Sequence, residues 1–123
     1  MDEFILDYII SVYRNPKNFG RLEDSYSMEE SNPFCGDKIK LFVKLNNNII
    51  KEIKFTGEGC TISIFSAEIL SENFLNKNIE DIMKMSEEEY LKLIPISLTP
   101  TRQKCALLSF RILKNILKDI NQK

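Results

Sequence analysis

The change of hydrophobic period near residue 37 limits the fold of this chain more than any other feature. Ile39, Leu41, Val43 and Leu45 alternate with Lys38, Lys40 and Lys44, as in a strand with one buried face. Farther along the chain, apolar residues recur at helical spacing instead. Strands gathered early and helices gathered late predict an α+β fold.

The remaining elements follow from the same reading of period, caps and turns. The predicted elements are a helix over residues 2–13, strands over 24–31, 37–45 and 49–55 with a turn at 46–48, and helices over 61–76, 86–94 and 100–121. The first helix is amphipathic through Phe4, Ile5, Tyr8, Ile9 and Val12. The last helix carries an apolar stripe made of Leu108, Ile112, Leu113, Ile116, Leu117 and Ile120. Ser86 and Glu89 have the spacing of a capping box.

The composition excludes several classes of protein. With 123 residues, 43% of them hydrophobic and 28% charged, we interpret residues 1–123 as a single globular domain. A net charge of −1 offers no basic surface for nucleic acid. The first ten residues carry acidic side chains, and no apolar run approaches the roughly 18 residues that span a bilayer. We therefore expect a cytoplasmic protein with no membrane association.

Three cysteines lie beside the boundaries of predicted elements. Cys35 and Asp37 belong to "NPFCGD", which directly precedes a strand, and Cys60 ends "TGEGC", where a strand gives way to a helix. Cys105 lies in the first or second turn of the last helix. The chain has no histidine, which excludes sites that depend on histidine. In a reducing compartment, an odd number of cysteines indicates buried thiols, metal ligands or nucleophiles rather than disulfides.

The surroundings of these cysteines favour the thiolate form. The partial positive charge of a helix N-terminus lowers a thiol's pKa, and both Cys60 and Cys105 lie near a predicted helix start. Arg102 and Lys104 add positive charge beside Cys105. Three thiolates and the Asp37 carboxylate make four donors, the number that a tetrahedral metal site needs, and thiolate-rich sites suit zinc, iron or iron–sulfur clusters.

Other interpretations stay open at this point. Any single cysteine, Cys105 above all, can simply be a core residue, and Asp37 can be a turn former. In a zinc hydrolase, Asp37 or Glu58 would act as general base, but four side chains would leave the metal no open position. A structural zinc module normally takes its ligands in close pairs, whereas 25 and 45 residues separate successive thiols here.

Four motifs together resemble one known family. "RNPKNFG", "NPFCGD", "GEGCTIS" and "RQKCALLSF" occur in the order, and at nearly the intervals, found in the IscU/SufU/NifU-N family of iron–sulfur cluster assembly scaffolds. The resemblance covers nearly the whole chain. It implies a three-stranded antiparallel sheet packed by helices, with a metal site near one end. Through the matching motifs, it also implies that Cys35, Asp37, Cys60 and Cys105 are the ligands.

The resemblance further implies a function. Members of this family receive sulfur from a pyridoxal-phosphate-dependent cysteine desulfurase, build a transient [2Fe-2S] cluster with iron, and pass it to apo-proteins. Many members hold Zn²⁺ at the same residues, and the SufU type is a zinc-dependent sulfur acceptor that stimulates its desulfurase. We therefore expect a scaffold or carrier that works by transfer rather than by turnover, with a SufU-type sulfurtransferase as the alternative.

Individual positions refine this expectation. Cys105, beside Arg102 and Lys104, is the first candidate for the persulfide acceptor, and Cys35 is the second. Lys104 stands where IscU-type proteins usually have histidine, which is a SufU-like feature, whereas the short Cys60-to-Cys105 interval is IscU-like. Residues 98–102 replace the Leu-Pro-Pro-Val-Lys stretch that chaperones recognise in IscU, so we do not expect dependence on an Hsp70-type chaperone.

Overall fold

The computed structural model describes residues 3–33 and 36–121 and has the expected α+β architecture. The strands are β1 (Tyr26–Asn32), β2 (Asp37–Asn46) and β3 (Ile49–Glu58). The helices are α1 (Glu3–Arg14), α2 (Thr61–Phe74), α3 (Ile79–Lys84), α4 (Glu87–Leu91) and α5 (Pro100–Asn121). The sheet is antiparallel in the order β1-β2-β3, and α2 and α5 pack against it and against each other. Among the described residues, no helix has the length and apolar character needed to cross a membrane.

The central strand β2 confirms the predicted alternation. Ile39, Leu41 and Val43 are fully buried beneath the helices. The β2–β3 connection is the predicted asparagine turn, in which Asn47 and Asn48 have φ values of 54° and 65°. Two successive positive φ values are what a type I′ hairpin turn requires, and asparagine tolerates them. The polar turn therefore fixes the pairing of the two longest strands.

Two strand boundaries differ from the prediction by more than one residue. β1 begins at Tyr26 rather than at residue 24, because Asp24 has a φ of 55° that is incompatible with an extended strand. β3 continues beyond the predicted end at residue 55 and reaches Glu58. Gly57 permits this extension, since a Cβ there would lie 2.3 Å from the backbone oxygen of Lys38 on β2. The longer strand carries the chain directly to the glycine that precedes Cys60.

The short helices are where the prediction was least accurate. α3 was not predicted, and it begins where the Asn78 side chain accepts a hydrogen bond from a backbone N–H of the first turn. α4 is shorter than the predicted range 86–94, although its Ser86/Glu89 capping box is confirmed. α2 ends at Phe74, two residues before the predicted end at residue 76. The long helices that position the cysteines were predicted more closely than these connectors.

The first helix is less covered than its apolar pattern indicates. Ile9 is buried, but Phe4 and Tyr8 are 84% and 47% exposed, because α1 packs mainly against α2. The segment after α1 is fixed by Asn18, which donates from its backbone N and from Nδ2 to the Glu68 carboxylate at 2.8 and 2.6 Å. Because Glu68 is almost fully buried on α2, this pair of bonds holds the connecting loop against the core.

A buried network of hydroxyl groups joins α2, α4 and α5. Ser66 Oγ donates to the Ala106 carbonyl at 2.6 Å and lies 2.7 Å from the Tyr90 hydroxyl. Tyr90 is fully buried and stacks on Phe110, with ring centroids 4.5 Å apart. Burial raises the pKa of Tyr90 to about 12. The predicted α5 stripe completes this core through Leu108, Ile112, Leu113, Ile116 and Leu117, with Ile120 partly buried.

Candidate metal centre

Asp37 is a fully buried carboxylate at the first position of β2. Its Oδ1 accepts a hydrogen bond from the backbone N–H of Cys60 at 2.8 Å, and its Oδ2 accepts one from the Ser63 hydroxyl at 2.6 Å. A buried charge is tolerated when donors of this kind surround it. Forming a turn would require none of these contacts, so the position of Asp37 is that of a site residue rather than of a turn former.

Cys60 is brought to Asp37 by the backbone that precedes α2. It is the N-cap residue of that helix, but its side chain makes no capping hydrogen bond. Gly59 is required for the close approach, since a Cβ at this position would lie 2.5 Å from Asp37 Oδ1. The Cys60 thiol lies 3.9 Å from Asp37 Oδ2 and is only partly buried. The predicted location of Cys60 at a strand-to-helix junction is confirmed.

Cys105 reaches the same point from α5. The helix starts at Pro100 as predicted, with the Thr99 hydroxyl accepting a bond from Arg102 N at 3.3 Å, and Cys105 lies in its second turn. Its side chain is 2% exposed. Cys105 Sγ lies 3.7 Å from the Thr101 carbonyl oxygen and 3.9 Å from Asn32 Nδ2 on β1. Strand β1 and helix α5 therefore both help to place this thiol.

The carboxylate of Asp37 and the thiols of Cys60 and Cys105 converge on one point. One ligand atom from each of the three residues lies within 4.8 Å of the other two. Two thiols and a carboxylate, which become soft thiolate ligands and one harder oxygen ligand, fit the donor preferences of zinc and of iron in iron–sulfur clusters. Cys35, the fourth predicted ligand, lies outside the described residues. Asn32 and Asp37, which lie on either side of Cys35 in the sequence, are paired in the β1–β2 register.

A cavity of about 350 Å³ opens onto the two thiols. Arg102 lines this cavity together with Cys60 and Cys105, so it shares one cavity with both cysteines. Lys104 is exposed and lines a different groove, between β1 and α5. Neither α2 nor α5 has an acidic residue in its first turn, so the partial positive charge of each helix N-terminus is not offset there.

Sequence reasoning missed two residues that contact the converging group. Ser63 is fully buried and bonds Asp37, and Asn32 contacts Cys105. The spacing of Ser63, three residues after Cys60, places both on one face of α2 and was an available signal. Glu58, considered as a general base, is exposed at the end of β3 and is not part of the converging group.

Comparison with known proteins identifies relatives that share almost the whole chain. The zinc-dependent sulfurtransferase SufU of Bacillus subtilis (strain 168) is 36% identical over 97% of this chain and 93% of that protein. The iron–sulfur cluster assembly scaffold protein IscU of Thermotoga maritima is 35% identical over 98% of this chain and 94% of that protein. Both alignments, of 137 and 138 positions, are longer than this 123-residue chain, so each relative carries residues without a counterpart here.

A solved structure and a family model agree with these relatives. The crystal structure of FiSufU from the thermophile Fervidobacterium islandicum AW-1 superimposes with a TM-score of 0.72 at 26% identity, over 94% of each chain. Residues 5–123 match the model of the NifU-like N terminal domain. Since that match includes both the sheet and the helices that bring Asp37, Cys60 and Cys105 together, the chain belongs to the NifU-like N-terminal domain family.

Proposed function

We propose that this protein is an iron–sulfur cluster assembly scaffold, which accepts sulfur and iron, builds a [2Fe-2S] cluster and transfers it to apo-proteins. The observation that carries the proposal is the convergence of Asp37, Cys60 and Cys105 within 4.8 Å. Relatives named as an IscU scaffold and a SufU sulfurtransferase, at 35% and 36% identity, support it. Residues 1–123 would act as one domain, as the continuous core from the sheet to α5 suggests.

In this proposal, Cys35 is the fourth ligand beside Asp37, Cys60 and Cys105. Two observations support its inclusion. The chain places Cys35 two residues before the buried Asp37, and Asn32, three residues before Cys35 in the sequence, contacts Cys105 Sγ. Three thiolates and one carboxylate would hold either Zn²⁺ or the cluster iron, and this ligand set supplies the soft donors that both prefer.

Sulfur acceptance needs one thiolate that a donor can reach. The accepting thiolate attacks the terminal sulfur of the donor's persulfide, a new S–S bond forms, the donor's S–S bond breaks, and the donor cysteine leaves as a thiolate. We propose Cys105 as the acceptor, with Cys35 as the alternative. The cavity lined by Cys60, Cys105 and Arg102 would give an incoming sulfur access to the buried Cys105, and the Arg102 cation would stabilise its thiolate.

The sulfur donor and the recipients are those that the resemblance to the IscU/SufU/NifU-N scaffold family implies. A pyridoxal-phosphate-dependent cysteine desulfurase is the proposed donor, and apo iron–sulfur proteins are the proposed recipients. The proposed compartment is the cytoplasm, because a site built from reduced thiols such as those of Cys60 and Cys105 needs a reducing environment.

A zinc-dependent sulfur acceptor of the SufU type is the second candidate function. The Bacillus subtilis relative is named as a zinc-dependent sulfurtransferase, and Lys104 precedes the third cysteine where IscU-type chains usually have histidine. In this role the protein would retain zinc and pass on sulfur without building a cluster. Both roles use the same thiolates, so the difference between them lies in which metal remains bound during sulfur transfer.

Anaerobic reconstitution with iron, cysteine and a cysteine desulfurase separates the two roles. A scaffold develops visible charge-transfer absorption and binds about two irons per chain or per dimer. A zinc-dependent acceptor retains about one zinc per chain and raises desulfurase turnover without developing colour. Cys60→Ser is the control, because it removes one proposed ligand. A wild-type protein that binds neither iron nor zinc while its thiols stay reduced would contradict both roles.

Mass spectrometry after incubation with desulfurase and cysteine identifies the acceptor. We expect a persulfide on Cys105, and no sulfur acceptance by Cys105→Ser, because a serine hydroxyl has far too high a pKa to act as the nucleophile. Persulfide on Cys35 alone, with undiminished labelling of Cys105→Ser, would assign the acceptor role to Cys35.

A further inference from the structure

Ser63 has a position that the proposed ligand set does not explain. Its side chain is fully buried in the first turn of α2. The Ser63 hydroxyl lies 2.6 Å from Asp37 Oδ2, 3.3 Å from the Cys105 carbonyl oxygen and 3.5 Å from Cys60 Sγ. One uncharged group thus contacts all three residues of the converging group without being a ligand candidate itself.

The hydroxyl has a single proton to give to these three acceptors. A serine hydroxyl donates one hydrogen bond, and a carboxylate oxygen is a stronger acceptor than a carbonyl oxygen or a thiol sulfur. The 2.6 Å distance to Asp37 Oδ2, the shortest of the three, agrees with this ranking. The Ser63 hydroxyl therefore donates its hydrogen bond to Asp37 when that carboxylate is not bound to a metal.

The oxygen that Ser63 bonds is also the one that faces the thiols. Asp37 Oδ1 is occupied by the backbone N–H of Cys60 at 2.8 Å, whereas Oδ2 lies 3.9 Å from Cys60 Sγ. A metal ion held between the thiols would draw on Oδ2. The Ser63 proton and the ion therefore share the same oxygen of Asp37, which becomes a weaker hydrogen-bond acceptor when it coordinates the ion.

We infer that Ser63 is a positioning residue that stabilises Asp37 in its detached state and so sets how fast the site releases its metal. This inference rests on the proposed function, in which Asp37 is the exchangeable ligand. When Oδ2 binds the ion, the hydroxyl turns to the Cys105 carbonyl or to Cys60 Sγ, both already within 3.5 Å. When Oδ2 leaves the ion, it again accepts a hydrogen bond from the Ser63 hydroxyl.

Because Asp37 is buried, this hydrogen bond strongly affects the stability of its detached state. Asp37 is 0% exposed, so water does not replace a missing donor when the carboxylate detaches. A buried carboxylate oxygen without a donor is strongly unfavourable, whereas the same oxygen bound to a metal is satisfied. Removing the Ser63 hydroxyl therefore destabilises the detached state more than the bound state, and the ligand should exchange more slowly.

The test compares zinc release from matched variants. Wild type, Ser63→Ala and Ser71→Ala are loaded with one equivalent of Zn²⁺, and transfer to a chromogenic chelator is followed by absorbance. We expect release from Ser63→Ala to be about tenfold slower than from wild type, the effect of losing one hydrogen bond to a charged group. Ser71→Ala should match wild type, since the hydrogen bond of that buried serine within the described part of the chain goes to the Ala67 carbonyl of the same helix, at 2.8 Å.

A second pair of variants separates the hydroxyl from packing. Ser63→Thr keeps the hydroxyl and Ser63→Val replaces it with a methyl group of the same shape, so only the valine variant should release zinc slowly. The contrast between these two decides the question even if the alanine variant folds poorly. The absorption spectrum of each variant loaded with Co²⁺ reports whether the ligand set itself has stayed the same.

A double-mutant cycle with Asp37→Ala tests whether Ser63 acts through Asp37. In that background, Ser63→Ala should leave the release rate unchanged. Equal or faster release from Ser63→Ala than from wild type, or an equal slowing in the Asp37→Ala background, would overturn the inference. A wild-type protein that holds no zinc would overturn the proposed function as well, so the two failures are distinguishable.

Discussion

Ser63 and Ser66 lie one turn apart on the same buried face of α2, and each hydroxyl lies within hydrogen-bond distance of a backbone carbonyl of α5. Ser66 Oγ is 2.6 Å from the Ala106 carbonyl oxygen, and Ser63 Oγ is 3.3 Å from that of Cys105. The two hydroxyl groups differ in the side chain that they contact besides this carbonyl. Ser66 meets the neutral phenol of Tyr90, whereas Ser63 meets the carboxylate of Asp37.

This difference separates a structural network from a reactive one. Around Ser66 all partners are uncharged and enclosed, so the network fastens α2 to α4 and α5 and has nothing to exchange. Around Ser63 the partners are the Asp37 carboxylate, the Cys60 thiol and the Cys105 carbonyl, beside an open cavity that Cys60 and Cys105 line. Similar hydroxyl positions therefore lie in an uncharged network in one place and beside the proposed metal ligands in the other, so variants around Ser66 and around Ser63 should affect different properties.

The largest expected effect is on the metal affinity of the group around Ser63, which includes Asp37, Cys60 and Cys105. We expect Cys60→Ser to lower zinc affinity by at least about a hundredfold, because losing a thiolate exceeds the 10- to 100-fold loss typical of residues that only support a ligand. The free energy of unfolding of the metal-free protein should not fall, since Cys60 makes no capping bond and serine is a good N-cap residue. Competition with a zinc chelator and urea denaturation measure the two quantities.

The matched variant in the other region is Ser66→Ala. It should leave zinc affinity within twofold of wild type while lowering the free energy of unfolding by about 1–2 kcal/mol, because the buried Tyr90 hydroxyl loses a partner. A hundredfold loss of zinc affinity in Ser66→Ala would show that the two networks are not independent.

The next largest effect is on the free energy of unfolding at high pH, and it comes from the network around Ser66 and Tyr90. Burial raises the pKa of Tyr90 to about 12 from an ordinary value near 10. Between these values the unfolded chain has lost the Tyr90 proton and the folded chain keeps it, so the free energy of unfolding falls as pH rises. We expect wild type to lose about 2 kcal/mol through this group between pH 10 and 12.

Tyr90→Phe isolates the contribution of this phenol from the lysines and other tyrosines that titrate in the same range. We expect the variant to be about 1 kcal/mol less stable than wild type near pH 8 and to regain that difference above pH 10. Urea denaturation at several pH values measures both. Parallel stability curves for the two proteins up to pH 12 would contradict the position assigned to Tyr90.

The smallest effect concerns the face of α2 that meets α1. Glu72 follows Glu68 by one turn, and its pKa is raised by burial and by the charge of Glu68. Because a raised carboxyl pKa means that ionised Glu72 destabilises the folded state, Glu72→Gln should gain about 0.3 kcal/mol at pH 7. The gain should vanish at low pH, where Glu72 is protonated. A loss of stability at pH 7 in thermal denaturation would contradict this.

The sequence predicted the junctions that carry Cys60 and Cys105 more accurately than it predicted the short connecting helices. Glycines beside Cys60 and proline before α5 are local signals with one main structural meaning, so those junctions were predicted correctly. β2 was predicted because apolar residues on one face alternate with lysines on the other. The stretch that forms α3 has only six residues, too few for a periodic pattern, and its existence depends on packing against α5.

Contacts between distant segments account for what the sequence left open. Ser63 reads as an ordinary helix residue, and only the approach of β2 to α2 shows that it bonds Asp37. Phe4 and Tyr8 have helical spacing but are 84% and 47% exposed, because among the described residues α1 packs mainly against α2. Local pattern predicts which face of an element is apolar, whereas burial depends on which neighbours the topology supplies.

X-ray absorption at the zinc edge tests the central claim most directly, since it counts the ligands on the metal. For zinc-loaded wild type, the account predicts three sulfurs at about 2.3 Å and one oxygen at about 2.0–2.2 Å. Cys35→Ser, Cys60→Ser and Cys105→Ser should each reduce the sulfur count by one. A zinc shell made mainly of oxygen or nitrogen, or a sulfur count that none of these substitutions changes, would contradict the proposed ligand set.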